Sequence, residues 1–145
     1  MEESLNYLKE QFHLGEIDIR TYSPLTLAYI GDAIYDLVIR TILVEMGNTQ
    51  VNKLHKRASS FVKATAQSEM IKKIEGVFTQ EEQTIYQRGK NSKPHTTAKN
   101  ASLTEYKRAT GFEAVMGYLY LTNQWERMID LIKMGIDEGE MNGRK

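Results

Sequence analysis

The sequence predicts an all-α fold, a single domain built as a bundle of about seven helices. Apolar residues recur every three or four positions along most of the 145 residues, which is the spacing of a buried helix face. No segment alternates apolar and polar side chains with the period of two that is typical of strands. Pro24 and Pro94 both lie outside predicted helix interiors. An apolar content of 41% is enough for one core.

Caps and glycines set the expected helix boundaries. Ser23 and Pro24 form an N-cap and a first-turn proline, and Gly47 follows the apolar run that they begin. Thr79 and Glu82 form a capping box at the start of a later helix. We therefore expect helices at about residues 2–11, 24–46, 50–55, 57–75, 79–89, 103–123 and 124–139, and a disordered tail over about residues 140–145.

The formal net charge is zero, but the charged residues are unevenly distributed along the chain. Residues 53–108 carry a net charge of +7, whereas residues 1–52 carry −5 and residues 109–145 carry −2. A basic block of this kind is typical of a surface that neutralises phosphates. A solvated surface with flexible lysines would have the same composition, so that alternative stays open.

The segment from Gly89 to Ala101 does not fit a helix. It contains no large apolar residue that could anchor it to a core, and it is basic. A connection of this length is usually functional or disordered. We expect it to help bind a polyanion, with a plain surface loop as the alternative.

The composition excludes several kinds of site. There is no cysteine, so disulfides and thiolate metal sites are excluded, and the three histidines show no close pairing that indicates zinc. No P-loop or nucleophile elbow is present. No run of about 18 apolar residues occurs, and the N-terminus is acidic. We expect neither membrane insertion nor export, and place the protein in the cytoplasm.

Two acidic residues stand in apolar, small-residue-rich helical stretches. Asp32 lies in the run from Leu27 to Ala33, and Glu113 lies in the run from Thr110 to Gly117. A carboxylate on a packed helix face needs a cation, a proton or hydrogen-bond donors to replace its lost hydration. From the residues alone, a metal site and a pair of capped structural acids remain equally good interpretations. Asp36 has a simpler role, because Arg40 is placed four residues on to pair with it.

These two stretches carry a family resemblance. Tyr29-Ile-Gly-Asp-Ala33 resembles the Phe-Leu-Gly-Asp-Ala core of the ribonuclease III signature helix. Phe112-Glu-Ala-Val-Met-Gly117, followed by Tyr118 and Leu119, resembles the second acidic motif of that family. Both motifs occur in the order that the family shows.

The remainder of the chain resembles the short bacterial branch of the family, Mini-ribonuclease III. Residues 54–59, 88–93 and 94–100 match its basic segments in order. The resemblance covers about residues 22–138. It implies one catalytic domain over residues 1–145, without the separate RNA-binding domain of the longer enzymes.

The resemblance implies a homodimer that uses Mg²⁺, with Mn²⁺ as a substitute, to cleave double-stranded RNA and leave 5′-phosphate ends. It implies that Asp32 and Glu113 hold the metal and are the catalytic residues. The short branch is associated with maturing the ends of precursor 23S ribosomal RNA, and whether a ribosomal protein assists stays open. We expect phosphate contacts from Lys56, Arg57, Arg88, Lys90, Lys93 and Lys99.

Two positions depart from the pattern of the longer enzymes, which have a Glu where this chain has Ala28 and an Asp where it has Thr110. Both departures are typical of the short branch, and they leave fewer protein ligands for metal. Two alternatives therefore remain beside the enzyme. One is an inactive RNA-binding module of the same family, and the other is an all-α adaptor whose basic middle binds an acidic protein.

Overall fold

The structure is a computed structural model that describes residues 2–92, 101–136 and 138–142. All regular structure in these ranges is helical, which confirms the predicted fold class. The α-helices of the described residues are α1 Glu2–Gln11, α2 Pro24–Glu45, α3 Val51–Val62, α4 Ala64–Ile74, α5 Gln80–Lys90, α6 Leu103–Leu121, α7 Trp125–Gly135 and α8 Glu138–Met141. Short 3₁₀ turns occupy Ile19–Thr21 and Glu75–Val77.

Side-chain caps begin the main helices where the sequence predicts them. Ser23 Oγ accepts hydrogen bonds from the backbone N–H groups of Leu25 and Thr26, and Pro24 occupies the first turn of α2. The predicted capping box of Thr79 and Glu82 is present at the start of α5. These contacts satisfy N–H groups that have no partner inside the helix.

The predicted break between the third and fourth helices is wrong. We expected it near residue 56, but α3 continues to Val62 and the chain turns at Lys63, whose backbone is extended. Side chains from other helices cap the end of α3. The Tyr35 hydroxyl donates to the Phe61 carbonyl at 2.9 Å, and Gln67 Nε2 donates to the Val62 carbonyl at 2.8 Å. Contacts between helices set this boundary, so local sequence preference did not reveal it.

The C-terminal expectation also needs correction. Helix α7 ends at Gly135, and Glu138–Met141 form the separate helix α8. Met141 is 3% exposed and packs in the core, and Arg57 donates a hydrogen bond to its carbonyl. Residues 140 and 141 are therefore helical, and Met141 packs in the core, contrary to the predicted disordered tail. Residues 143–145 lie outside the described part of the chain.

Helix α6 is the central element of the bundle. It packs against α2, α4, α5 and α7, and nearly every residue from Ala109 to Leu119 is buried. The core residues that surround it run from Leu27 to Met141. Among the described residues, no helix has the length and hydropathy needed to cross a membrane.

The backbones of α2 and α6 touch where the two helices cross. A Cβ atom built on Gly31 would lie 1.7 Å from the carbonyl oxygen of Glu113. A Cβ atom built on Gly117 would lie 2.0 Å from the carbonyl oxygen of Leu27. Neither position has room for a side chain, so the two glycines fix the spacing and the register of the crossing.

Gly117→Ala should lower the free energy of unfolding by about 2 kcal/mol or more, because the added methyl group forces the helices apart. Gly76→Ala is the matched control, since nothing lies within 4 Å of a Cβ atom at Gly76. Urea unfolding followed by circular dichroism measures both variants. Equal midpoints for Gly117→Ala and wild type would contradict the close crossing.

Candidate functional site

The crossing of α2 and α6 brings Asp32 and Glu113 together. Gly31 lies against the Glu113 backbone, and Asp32 is the next residue of α2. The Asp32 carboxyl group is close enough to Glu113 to raise its pKa, through its charge and through a hydrogen bond. The Asp32 side chain is exposed and Glu113 is partly buried, so the pair lies at the surface edge of the crossing. The two acids singled out in the sequence thus form one cluster.

The pair of carboxyl groups is electrostatically unfavourable when both are ionised. Burial raises the pKa of Glu113, and the nearby negative charge of Asp32 and their mutual hydrogen bond raise it further, to about 8. A hydrogen bond from Gln67 acts in the opposite direction on this pKa. Without a cation, Glu113 therefore retains its proton near neutral pH.

Gln67 belongs to this site, and the sequence analysis missed it. Its Nε2 atom donates to the Val62 carbonyl at 2.8 Å and to Glu113 Oε2 at 3.2 Å. The sequence does contain a pattern that could have identified Gln67. It precedes Met70, Ile71 and Ile74 at helical spacing, which makes it a polar residue on the buried face of α4.

Tyr35 is a buried support beside the pair. Its ring packs edge-on against Phe112, with the centroids 4.9 Å apart, and its hydroxyl contacts the Phe61 carbonyl and the Met70 sulfur. Burial, and secondarily the charge of Glu113, raise the pKa of Tyr35 above its usual value. Tyr35 therefore stays protonated and serves to hold α2, α3 and α4 together.

The donor set fits a hard divalent cation. The two carboxyl groups offer oxygen ligands alone, and Mg²⁺ characteristically binds one or two carboxylates while keeping several waters. Within residues 2–92, 101–136 and 138–142, no cluster of three or more His, Cys, Asp or Glu side chains forms a fuller metal site. Asp36 pairs with Arg40 at 3.0 Å, as its spacing predicts.

The two departures noted in the sequence remove acids from this neighbourhood. Ala28 is buried, and the Thr110 hydroxyl donates to the Tyr106 carbonyl within α6. Neither residue adds a charged ligand to the Asp32 and Glu113 pair.

The predicted basic contacts fall into three groups. Lys56 and Arg88 are exposed, and Arg88 donates to the Tyr22 carbonyl at 3.3 Å. Lys90 is partly buried, as is Arg57, whose guanidinium is engaged with the Met141 carbonyl. Lys93 and Lys99 lie outside the described residues.

The family model described as the Ribonuclease III domain matches residues 25–124, which include both acids and the whole α2–α6 crossing. The chain therefore belongs to the ribonuclease III family.

Its relatives within that family are Mini-ribonuclease 3 proteins, in agreement with the resemblance of the basic segments. The protein of that name from Clostridium tetani is 45% identical over 96% of this chain and 97% of its own length. The Enterococcus faecalis protein is 47% identical over 86% and 97%, respectively. A crystal structure of a Fusobacterium nucleatum protein, 37% identical, superposes with a TM-score of 0.74 over 81% of this chain and 94% of that one.

Glu113→Gln should stabilise the metal-free protein increasingly as the pH rises. The folded pKa of Glu113 is raised from 4.5 to about 8. Its favourable contribution to folding is therefore complete below the unfolded pKa and is lost as the pH rises through about 8. Between pH 5 and pH 9 in EDTA, the melting temperature of the variant should gain several degrees on wild type, since about 1 kcal/mol corresponds to roughly 2 to 4 °C.

Thermal unfolding across this pH range measures the effect. Glu10→Gln, at an exposed position on α1, is the control and should show no such trend. A difference between Glu113→Gln and wild type that stays constant with pH would contradict the coupling of the two carboxyl groups.

Proposed function

We propose that this protein is an endoribonuclease that cleaves double-stranded RNA with the help of Mg²⁺, for which Mn²⁺ can substitute. One observation carries the proposal: the two carboxyl groups of the family motifs meet at a solvent-accessible edge of the fold. The ribonuclease III domain and the name shared by the relatives support the same activity.

Asp32 and Glu113 are the catalytic residues of this proposal and hold the cation through their oxygens. A bound divalent cation supplies Lewis-acid polarisation of the phosphodiester, lowers the pKa of a bound water and stabilises the leaving oxygen. Both side chains would hold the cation as carboxylates, so Glu113 would have to lose the proton that its raised pKa retains. The Asp32 side chain is exposed, so a bulky duplex can approach its carboxylate. Glu113 is partly buried and is held in place by α6. Hydrolysis by water leaves 5′-phosphate and 3′-hydroxyl ends.

The duplex contacts of this proposal are to phosphates. Lys56 and Arg88 are exposed cations, and Lys90 is partly exposed. Lys93 and Lys99 extend this set by sequence alone. Arg57 was part of the same prediction, but its hydrogen bond to the Met141 carbonyl gives it a structural role, so we expect it to contribute less. Contacts of this kind position a duplex without reading its bases.

A homodimer is part of the same proposal. Helix α2 exposes a row of large apolar side chains, with Tyr29 at 81%, Leu37 at 52% and Val44 at 57%. Their spacing of eight and seven residues places them on one face of the helix. An apolar groove of about 500 Å³ between α2 and α7 continues this surface and includes Leu37 and Trp125. An extended apolar surface of this kind is typical of a protein interface.

We further propose that the substrate is the double-stranded end of precursor 23S ribosomal RNA in the cytoplasm, as the resemblance to the short branch implies. A ribosomal protein that presents this RNA is compatible with the exposed basic residues.

The competing function is an RNA-binding module without activity. It is favoured by the small donor set, because Ala28 and Thr110 supply no acid beside the two carboxylates. Magnesium-dependent cleavage by the purified protein separates the two functions.

Asp32→Asn should reduce cleavage of a labelled RNA duplex in Mg²⁺ by about a thousandfold or more, because it removes a ligand from a site with only two carboxylates. Duplex binding should remain within a few-fold of wild type. Asp36→Asn is the matched control on the same helix, since Asp36 pairs with Arg40 and should not affect the chemistry. Gel-based cleavage and binding assays measure both effects, and undiminished cleavage by Asp32→Asn would refute the catalytic assignment.

Leu37→Asp should convert the dimer to a monomer at micromolar concentration, because it places a charge in the apolar face of α2. Leu103→Asp is the matched control: Leu103 is equally exposed, at 52%, and an acid in the first turn of α6 is favourable. Sedimentation velocity measures the oligomeric state. A wild-type protein that sediments as a monomer throughout the micromolar range would rule out this interface.

A further inference from the structure

Gln67 connects three helices at the carboxyl pair. The side chain is 1% exposed and comes from α4. Its single amide nitrogen donates both to the last carbonyl of α3, that of Val62, and to Glu113 Oε2 on α6. Both amide hydrogens therefore have an acceptor, and one of the acceptors is a candidate metal ligand.

Packing alone does not explain an amide at this position. Gln67 Oε1 is buried and has no hydrogen-bond partner among the described residues. A buried acceptor without a partner is unfavourable, whereas a Met or Leu side chain would continue the apolar face formed by Met70, Ile71 and Ile74. The Gln67 side chain thus leaves Oε1 without a partner but places Nε2 between two acceptors, the Val62 carbonyl and Glu113 Oε2.

The orientation of the amide follows from its surroundings. If the amide were reversed, Oε1 would face the Val62 carbonyl and the Glu113 carboxylate, which are both acceptors. The Val62 carbonyl accepts its hydrogen bond from Gln67 itself, whereas the Tyr35 hydroxyl binds the neighbouring Phe61 carbonyl. Gln67 is therefore the direct link between the end of α3 and one oxygen of Glu113.

We propose that Gln67 is a positioning residue that fixes the Glu113 carboxylate beside Asp32 in the orientation in which the pair binds a divalent cation. This inference rests on the proposed function and deepens it, since it concerns the same cation. Hydrogen-bond partners of ligating carboxylates commonly contribute 10- to 100-fold to metal affinity. A purely structural Gln67 would end α3 and would have no effect on cation binding.

Gln67→Met tests this role, because it keeps the length of the side chain and removes the donor. The first measurement is the dissociation constant for Mn²⁺ alone, without RNA, by isothermal titration calorimetry of the full chain. We expect it to rise about 10-fold or more. In cleavage assays, the Mg²⁺ concentration for half-maximal rate should rise to a similar extent, while KM for the duplex stays within about twofold at saturating Mg²⁺.

Tyr35→Phe is the matched control, because it frees the adjacent carbonyl of α3 without removing a donor from Glu113. Its melting temperature should fall, because the Phe61 carbonyl loses its donor, but its Mn²⁺ dissociation constant should stay within about twofold of wild type. If Gln67→Met does not fold, Gln67→Asn replaces it, since the shorter amide cannot span the same contacts, and the same rise is expected.

Each result decides the inference. If wild type binds Mn²⁺ and Gln67→Met binds it equally tightly, the role of Gln67 is overturned. The proposed function then remains intact. Equal weakening in Tyr35→Phe also overturns the role of Gln67, since loosening of α3 would then explain the loss. Wild type that neither binds Mn²⁺ nor cleaves duplex RNA overturns the proposed function and this inference together.

Discussion

The contact of two helix backbones at Gly31 and Gly117 is the constraint on which the site depends. Because neither position has room for a Cβ atom, α2 and α6 meet in one register. Asp32 follows Gly31, and Glu113 stands one helical turn before Gly117, so this register brings their carboxyl groups into contact. Two ionised carboxyl groups repel each other, so they would not associate without the fold. The close packing of the surrounding core holds them together, and burial, together with the nearby charge of Asp32, raises the pKa of Glu113 to about 8.

The sequence predicted the features that local chemistry determines. Ser23 with Pro24, and Thr79 with Glu82, mark helix starts because capping depends on neighbouring residues, and both caps are present. Asp32 and Glu113 were singled out because each lies among small residues in an apolar helical stretch. From these residues alone a metal site and capped structural acids stayed equally good, and the pairing of the two acids as metal ligands came from the family resemblance.

Features that depend on contacts between distant segments could not be predicted in this way. Lys63 carries no breaker signal, and the end of α3 is set by Gln67 and Tyr35 from other helices. Arg57 was assigned to the phosphate-binding set because of its charge, yet the fold engages it with the Met141 carbonyl. A basic residue in a basic segment has the same sequence signature whether it meets a polyanion or caps a helix.

The two carboxylates differ in their access to water. Asp32 lies at the rim of the crossing, whereas Glu113 is held deeper by α6 and α4. An ion that settles between them would still be reached directly from the bulk medium, without any parting of the helices. The rate at which the ion exchanges with the medium would then depend on how fast it loses its hydration water. A chelator would remove the ion while the bundle stays folded.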